Sequence, residues 1–383
     1  MADSDDKEKE FALSTSDHFI DFAAPWGGVA TCSYHEFETA HTYSIHKLLL
    51  EISKKILRDE RINVRGKILT CDFGFIENDV SDAFAEHDAG RHAFGVHSGL
   101  VMLSYYLSGE LFIVRDHRDQ FRLTHPHPNL EVDSAMFSLA PDAGLEYDLA
   151  LHSARTSHLV DKRRVAIGQY FREFFLLFAF FHEFHHVIWG HCEFTNSSIG
   201  AARLHEVGPT ETKVKNDLLL HNIEYLADIG AIDLMVWYVN KRSRLNFKWL
   251  SRISFADLHR LALVACGVMC ATWNAHDHKK GRDGTHPEPG ARFGNLLAHY
   301  ANVMSHFKGE EFFKHKIAKL AIMDLTFLSD SCPEIAIVIG DMQALVSDEK
   351  HVSMMQEIFT VYRKETLAYE FRTRKEIDKF GWS

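Results

Sequence analysis

Apolar residues recur at helical spacing along most of the chain and at strand spacing only near its start. Between residues 36 and 59, Tyr43, Leu48, Leu49, Ile52 and Ile56 fall on one face of an amphipathic helix. Residues 67–76 (KILTCDFGFI) and 92–96 (HAFGV) are short and rich in β-formers, so they predict strands, with the acidic stretch 77–88 as a loop between them. Residues 98–103 read as a strand passing into a helix, and 110–115 as a further strand. The stretch 117–160 holds three of the eight prolines and little periodicity, which suits an insertion or lid. From 162 onward helical spacing takes over. Residues 165–190 form one proline-free helix whose Phe-rich face implies deep burial, and 210–241 form a second. Ser254, with Asp257 three residues on, is placed to cap a third helix. A polar loop at 276–284 leads to a fourth helix at 287–307, and two or three more follow residue 310. Strands first and helices later predict an α+β fold, mainly α, with a small early sheet and a helical C-terminal region. The expected organisation is a disordered tail at 1–15, one domain over 16–300 and a helical region over 301–383.

Composition narrows the setting. The 383 residues are 46% hydrophobic and 25% charged, the balance of a globular chain. Forty-two Lys and Arg against 53 Asp and Glu give a net charge of −11, which argues against a nucleic acid partner. Cys32, Cys71, Cys192, Cys266, Cys270 and Cys332 show neither CxxC spacing nor the density of a secreted scaffold, so they read as reduced thiols in a cytoplasmic protein. The first ten residues are strongly charged, so no signal peptide is expected. The apolar runs 174–181 and 261–273 are shorter than the ~18 residues of a membrane span, so no membrane partner is expected either.

The sharpest chemical signal is His182-Glu183-Phe184-His185-His186, an H-E-x-x-H motif inside an apolar helix. Residues four apart share a helix face, so His182 and His186 can reach one zinc ion, and Glu183, rotated by about 100°, can take a proton from water. Apolar flanks make a purely structural His-Glu-His cluster costly to bury. A catalytic zinc needs a third protein ligand. Trp189 and Cys192 stand where the metzincin pattern requires Gly and His, so that arrangement fails. His191 falls about 140° around the helix from His186, and Glu193 about 10 Å further along it, so neither suits the role and His185 and His191 read as packing or surface residues. The next helix offers Glu224 and Asp228 on one face, with Ala227 and Ala231 small enough to allow close approach. Glu224 is the expected third ligand, and Asp228 the acceptor that orients His182 or His186. His205, Glu206, Glu211 and His221 are the alternatives to Glu224.

The segments HEFHHVIWGH and EYLAD resemble the gluzincin metallopeptidases, in which a Glu on a later helix completes the zinc site. Gly190-His191 and residues 95–107 (GVHSGLVMLSYYL) are similar to the phage-exclusion Lit peptidases. Thr285-His286-Pro287 with Arg292 is similar to the T-H-P-x-x-x-x-R motif of HtpX-type proteases, although this sequence lacks their membrane spans. The resemblance covers roughly residues 92–300. It implies a zincin-like core, one Zn2+ per chain, His286 stabilising an oxyanion in the cleft, and Arg292 bracing a buried carboxylate such as Asp228. Thr285 and Glu288 also fit a plain capping box, which leaves a purely structural role open.

These readings converge on a zinc endopeptidase acting on an intracellular protein, with the substrate strand added to an edge strand near 92–98. The Lit resemblance implies a normally silent protease triggered in phage defence, and hence a regulatory partner. The alternative is a zinc-stabilised sensor or interaction protein that binds a partner without cleaving it, docking through the C-terminal third with its Arg363-Lys364 and Arg372, Arg374, Lys375 clusters.

Overall fold

The computed structural model describes residues 10–12, 16–33, 40–88, 90–114, 139, 162–199, 203–205, 214–244, 253–279, 287–308, 310–330, 332–346 and 369–373. Almost all of the expected lid at 117–160 and most of the C-terminal clusters lie outside these residues.

The architecture is α+β and mainly helical. The early sheet is built from β4 (Cys71–Ile76), β5 (Ala83–Asp88), β6 (Arg91–His97) and β7 (Arg203–His205), in the order β4-β6-β5-β7. Strand β6 runs parallel to β4 and antiparallel to β5. Three expectations change here. The stretch 77–88 is not all loop, because Ala83, Phe84 and Ala85 are fully buried and pair with β6 across a turn containing Gly90 at φ 84°. Residues 109–114 form a π-helical turn that continues helix α3 (Ser98–Ser108) instead of a strand. Finally, β6 is bonded on both sides, so it has no open edge for a substrate; the edges are β4 and β7.

Within the stretch expected to be a loose tail, β1 (Glu10–Ala12) pairs antiparallel with β2 (Thr31–Ser33). Alternation along the sheet sorts its side chains. Phe73, Phe75, Phe94 and Val96 join the main core, whereas Ile76, Phe84 and Ala93 pack with Phe19 and Ala23 of α1 (Asp17–Ala23) in a smaller cluster. A further helix, α2 (Ala40–Ile56), lies over the main-core side.

The centre of the core is α4 (Lys162–Ile188), where residues 174–188 are buried on every side. A helix apolar all round has no solvent face and needs partners on all sides. They are the sheet, α3, α6 (Val214–Arg244) and α7 (Phe255–Lys279). Phe180 sets its ring 4.7 Å from Phe73 and 5.2 Å from Phe94, which joins helix to sheet. At the α4–α6 contact, a Cβ on Gly230 would stand 2.1 Å from the His185 ring, so only glycine allows this approach. Ser254 caps α7, with its Oγ accepting from the Asp257 backbone N–H at 3.0 Å. Within Phe255–Asp277 this helix is long and apolar enough to cross a membrane, and 83% of the window is buried inside the protein. Helices α8 (Pro289–Lys308), α10 (Lys319–Ser329) and α11 (Pro333–Val346) pack against it, α8 packs against α6 as well, and α9 (Glu310–Phe313) lies against α8.

Gly190 ends α4 in the left-handed region, at φ 69°. A short helix α5 (His191–Ile199) starts at once. A remote segment closes over this turn. The Phe371 backbone N–H donates to the Ile188 carbonyl at 2.6 Å, and strand β8 (Arg372–Thr373) pairs with β3 (Arg61–Ile62).

Candidate metal centre

Helices α4 and α6 bring His182, His186 and Glu224 together. His182 Nε2 lies 3.2 Å from Glu224 Oε2 and 2.9 Å from His186 Nε2, and His186 Nε2 lies 3.5 Å from Glu224 Oε1. Ligands about 2.05 Å from a tetrahedral centre sit roughly 3.3 Å from one another, so the separations fit one small cation. Two imidazole nitrogens and a carboxylate are the donor types zinc takes. All three residues are buried, as is Glu183.

The far sides of both imidazoles are also held. His182 Nδ1 is 2.9 Å from Asp228 Oδ1, which sets the carboxylate against the far side of the ring and leaves Nε2 facing Glu224. Arg292 grips Asp228 with Nε to Oδ2 at 2.9 Å and Nη2 to Oδ1 at 2.8 Å, and its Nη2 lies 3.9 Å from Glu224 Oε2. The same guanidinium stacks 4.4 Å from the Trp273 ring, which lies 5.2 Å from the His182 ring.

His191 departs from expectation. Its Nδ1 is 3.1 Å from His186 Nδ1, and the residue is fully buried. The azimuth argument assumed one continuous helix, but the Gly190 turn redirects the chain and brings His191 back against His186. With His186 Nε2 turned to the ligand cluster, His186 Nδ1–H donates to His191. Burial pushes the His191 imidazole down to about 3, with His182 adding to the drop, so it stays neutral and can accept. His185 does pack in the core. Its Nδ1 is 2.6 Å from the Phe181 carbonyl, and burial pushes it down to about 4.

Glu183 lies beside Cys192, whose thiol is pushed up first by burial and then by the Glu183 charge. Cys266 and Cys270 are buried core thiols, and burial raises the Cys266 pKa. Thr285 and His286 lie outside the described residues, as do Glu206 and Glu211.

Residues 157–310 match the family model described as Peptidase U49. The matched segment carries His182, Glu183, His186, Glu224, Asp228 and Arg292, and it supports a peptidase. No curated protein and no solved structure matches the chain.

Proposed function

We propose that this protein is a zinc-dependent endopeptidase that hydrolyses a peptide bond in an intracellular protein. The observation that supports this most is the set of 2.9, 3.2 and 3.5 Å separations among His182, His186 and Glu224, with Glu183 on the same helix. The match of residues 157–310 to Peptidase U49, the family of the Lit-like peptidases, agrees with it.

In this reading His182, His186 and Glu224 hold the ion, which when bound polarises a carbonyl and brings the pKa of water toward ~7. Glu183 takes the proton from the attacking water and passes it to the leaving amide nitrogen. His286 donates to the oxyanion that forms on the carbonyl. Asp228 and Arg292 fix the His182 ring, and His191 fixes His186. Burial of His182, Glu183, His186, Glu224, Asp228 and Arg292 keeps the local dielectric low, which strengthens the contacts among them. Buried ligands also suit a normally silent protease that a trigger opens during phage infection.

The test is Glu183→Gln in the full chain. The variant is expected to retain its zinc and lose nearly all cleavage, read by comparing cell proteins by mass spectrometry after expression of each form. Retained turnover removes Glu183 from the mechanism. His186→Ala followed by metal analysis tests the ligand set, which undiminished zinc would refute.

A further inference from the structure

A second group of nitrogen and oxygen donors stands at the turn end of the β5–β6 hairpin. His87 and His92 are directly paired across the two strands, on the face that also carries Ala85 and Phe94, and their rings lie 4.6 Å apart. The short helix after the Gly190 turn brings Glu193 over them. Its Oε1 is 3.6 Å from His87 Nε2 and 3.7 Å from His92 Nε2. One ligand atom from each residue falls within 4.8 Å of the others.

Two features separate this group from an ordinary buried ion pair. His92 is fully buried, and beyond the Thr70 backbone near its ring, neither ring nitrogen has a hydrogen-bond partner of ordinary geometry among the described residues. An imidazole left so is expensive unless something accepts its lone pair. Second, a cation already sits in the cluster. Lys67 Nζ is 2.5 Å from Glu193 Oε1 and 3.3 Å from His87 Nε2. Lys67 reaches in from a loop, its side chain is 37% exposed, and its four-carbon stem can swing the ammonium out to water.

We propose that His87, His92 and Glu193 form a second metal site, for a divalent cation of the zinc type, and that the Lys67 ammonium is its built-in competitor. The donor set of two imidazoles and one carboxylate suits Zn2+ or Co2+ and not Mg2+ or Ca2+, which take oxygen ligands. Burial pushes the His92 ring down to about 3, with His87 and Lys67 adding to the drop and the Thr70 backbone opposing it, so the ring is neutral and its lone pair is available at pH 7. Burial lowers His87 as well, against the nearby Glu193 charge. A bound ion ties the hairpin to the first turn of α5, two residues beyond His191. The proposal stands independently of the function assigned to the first centre.

The experiment is equilibrium dialysis of the full chain against Zn2+, with metal analysis and with circular dichroism to check each fold. A chain carrying His182→Ala and His186→Ala is expected to keep one ion, and adding His92→Phe or Glu193→Gln is expected to remove it. Lys67→Met, at a half-exposed position, is expected to tighten binding at this centre at least ten-fold by removing the competing charge. If the His92 and Glu193 variants do not fold, Lys67→Met decides alone. No gain in affinity in that variant, or no ion retained in the His182/His186 double variant, overturns the proposal. Loss of metal confined to the His182 and His186 substitutions would overturn it too, while leaving the first centre in place.

Discussion

Arg292 and Asp228, 64 positions apart, form a two-point ion pair in which both side chains are 2% exposed. Asp228 in turn lies 2.9 Å from His182 Nδ1, so a charge on α8 acts on a ring on α4 through a carboxylate on α6. Removing one member of such a pair leaves the other charge buried alone. Arg292→Met is therefore expected to destabilise the protein by about 3–5 kcal/mol. Pairing it with Asp228→Asn should recover part of that loss in a denaturation double-mutant cycle. Strictly additive losses would mean that the two groups act separately.

His191→Phe keeps the ring volume but takes away the acceptor for His186. Outer partners of ligating histidines usually contribute 10–100-fold to metal affinity, and a loss of about that size is expected at the His182–His186–Glu224 centre. Chelator competition measures it. Unchanged affinity would return His191 to a packing role.

Gly190→Ala meets two obstacles, a φ of 69° and a Cβ placed 2.2 Å from the Tyr369 carbonyl oxygen. The expected loss is at least about 2 kcal/mol, from left-handed strain and displacement of the covering segment. Urea denaturation of the variant gives the value, and a loss under half of that would show that the segment yields freely.

Acid sensitivity should come in part from His259, which is not one of the His182–His186–Glu224 group. Burial pushes its imidazole down to about 3 from an ordinary 6.5, and its Nδ1 lies 2.5 Å from the Tyr300 hydroxyl. The unfolded chain therefore binds a proton below pH 6.5 that the folded chain does not. Its contribution to stability is complete above that pH and is lost as the pH falls toward 3. About 2 kcal/mol should go between pH 6.5 and 5. His259→Gln, less stable than the wild type at pH 7, should close the gap by about that amount at pH 5. A gap of constant width would show that His259 does not titrate this way.

The face that gathers His182, His186 and Glu224 was legible because its side chains obey helix geometry. His182 and His186, and Glu224 and Asp228, are each four residues apart, and a straight helix carries both pairs to the same side. His191 was not legible, because the arithmetic that dismissed it holds only while the helix continues; Gly190 was the available sign that it does not. Strand β5 was hidden by composition, since Glu77, Asp79, Asp82, Glu86 and Asp88 around Ala83-Phe84-Ala85 give the stretch the look of a solvent loop. The 87–92–193 cluster was invisible for another reason. Its members come from two strands and a helix a hundred residues later, and only the sheet register makes them neighbours.

The seam formed by Tyr369 and Phe371 over the end of α4 has a consequence for biosynthesis. Ile188 and Gly190 leave the ribosome long before their covering residues exist, so a nascent chain carries the whole H-E-x-x-H segment without its finished support. The order of translation thus delays this clasp over the end of α4 until residue 373 has emerged, and a product truncated short of that point lacks it altogether.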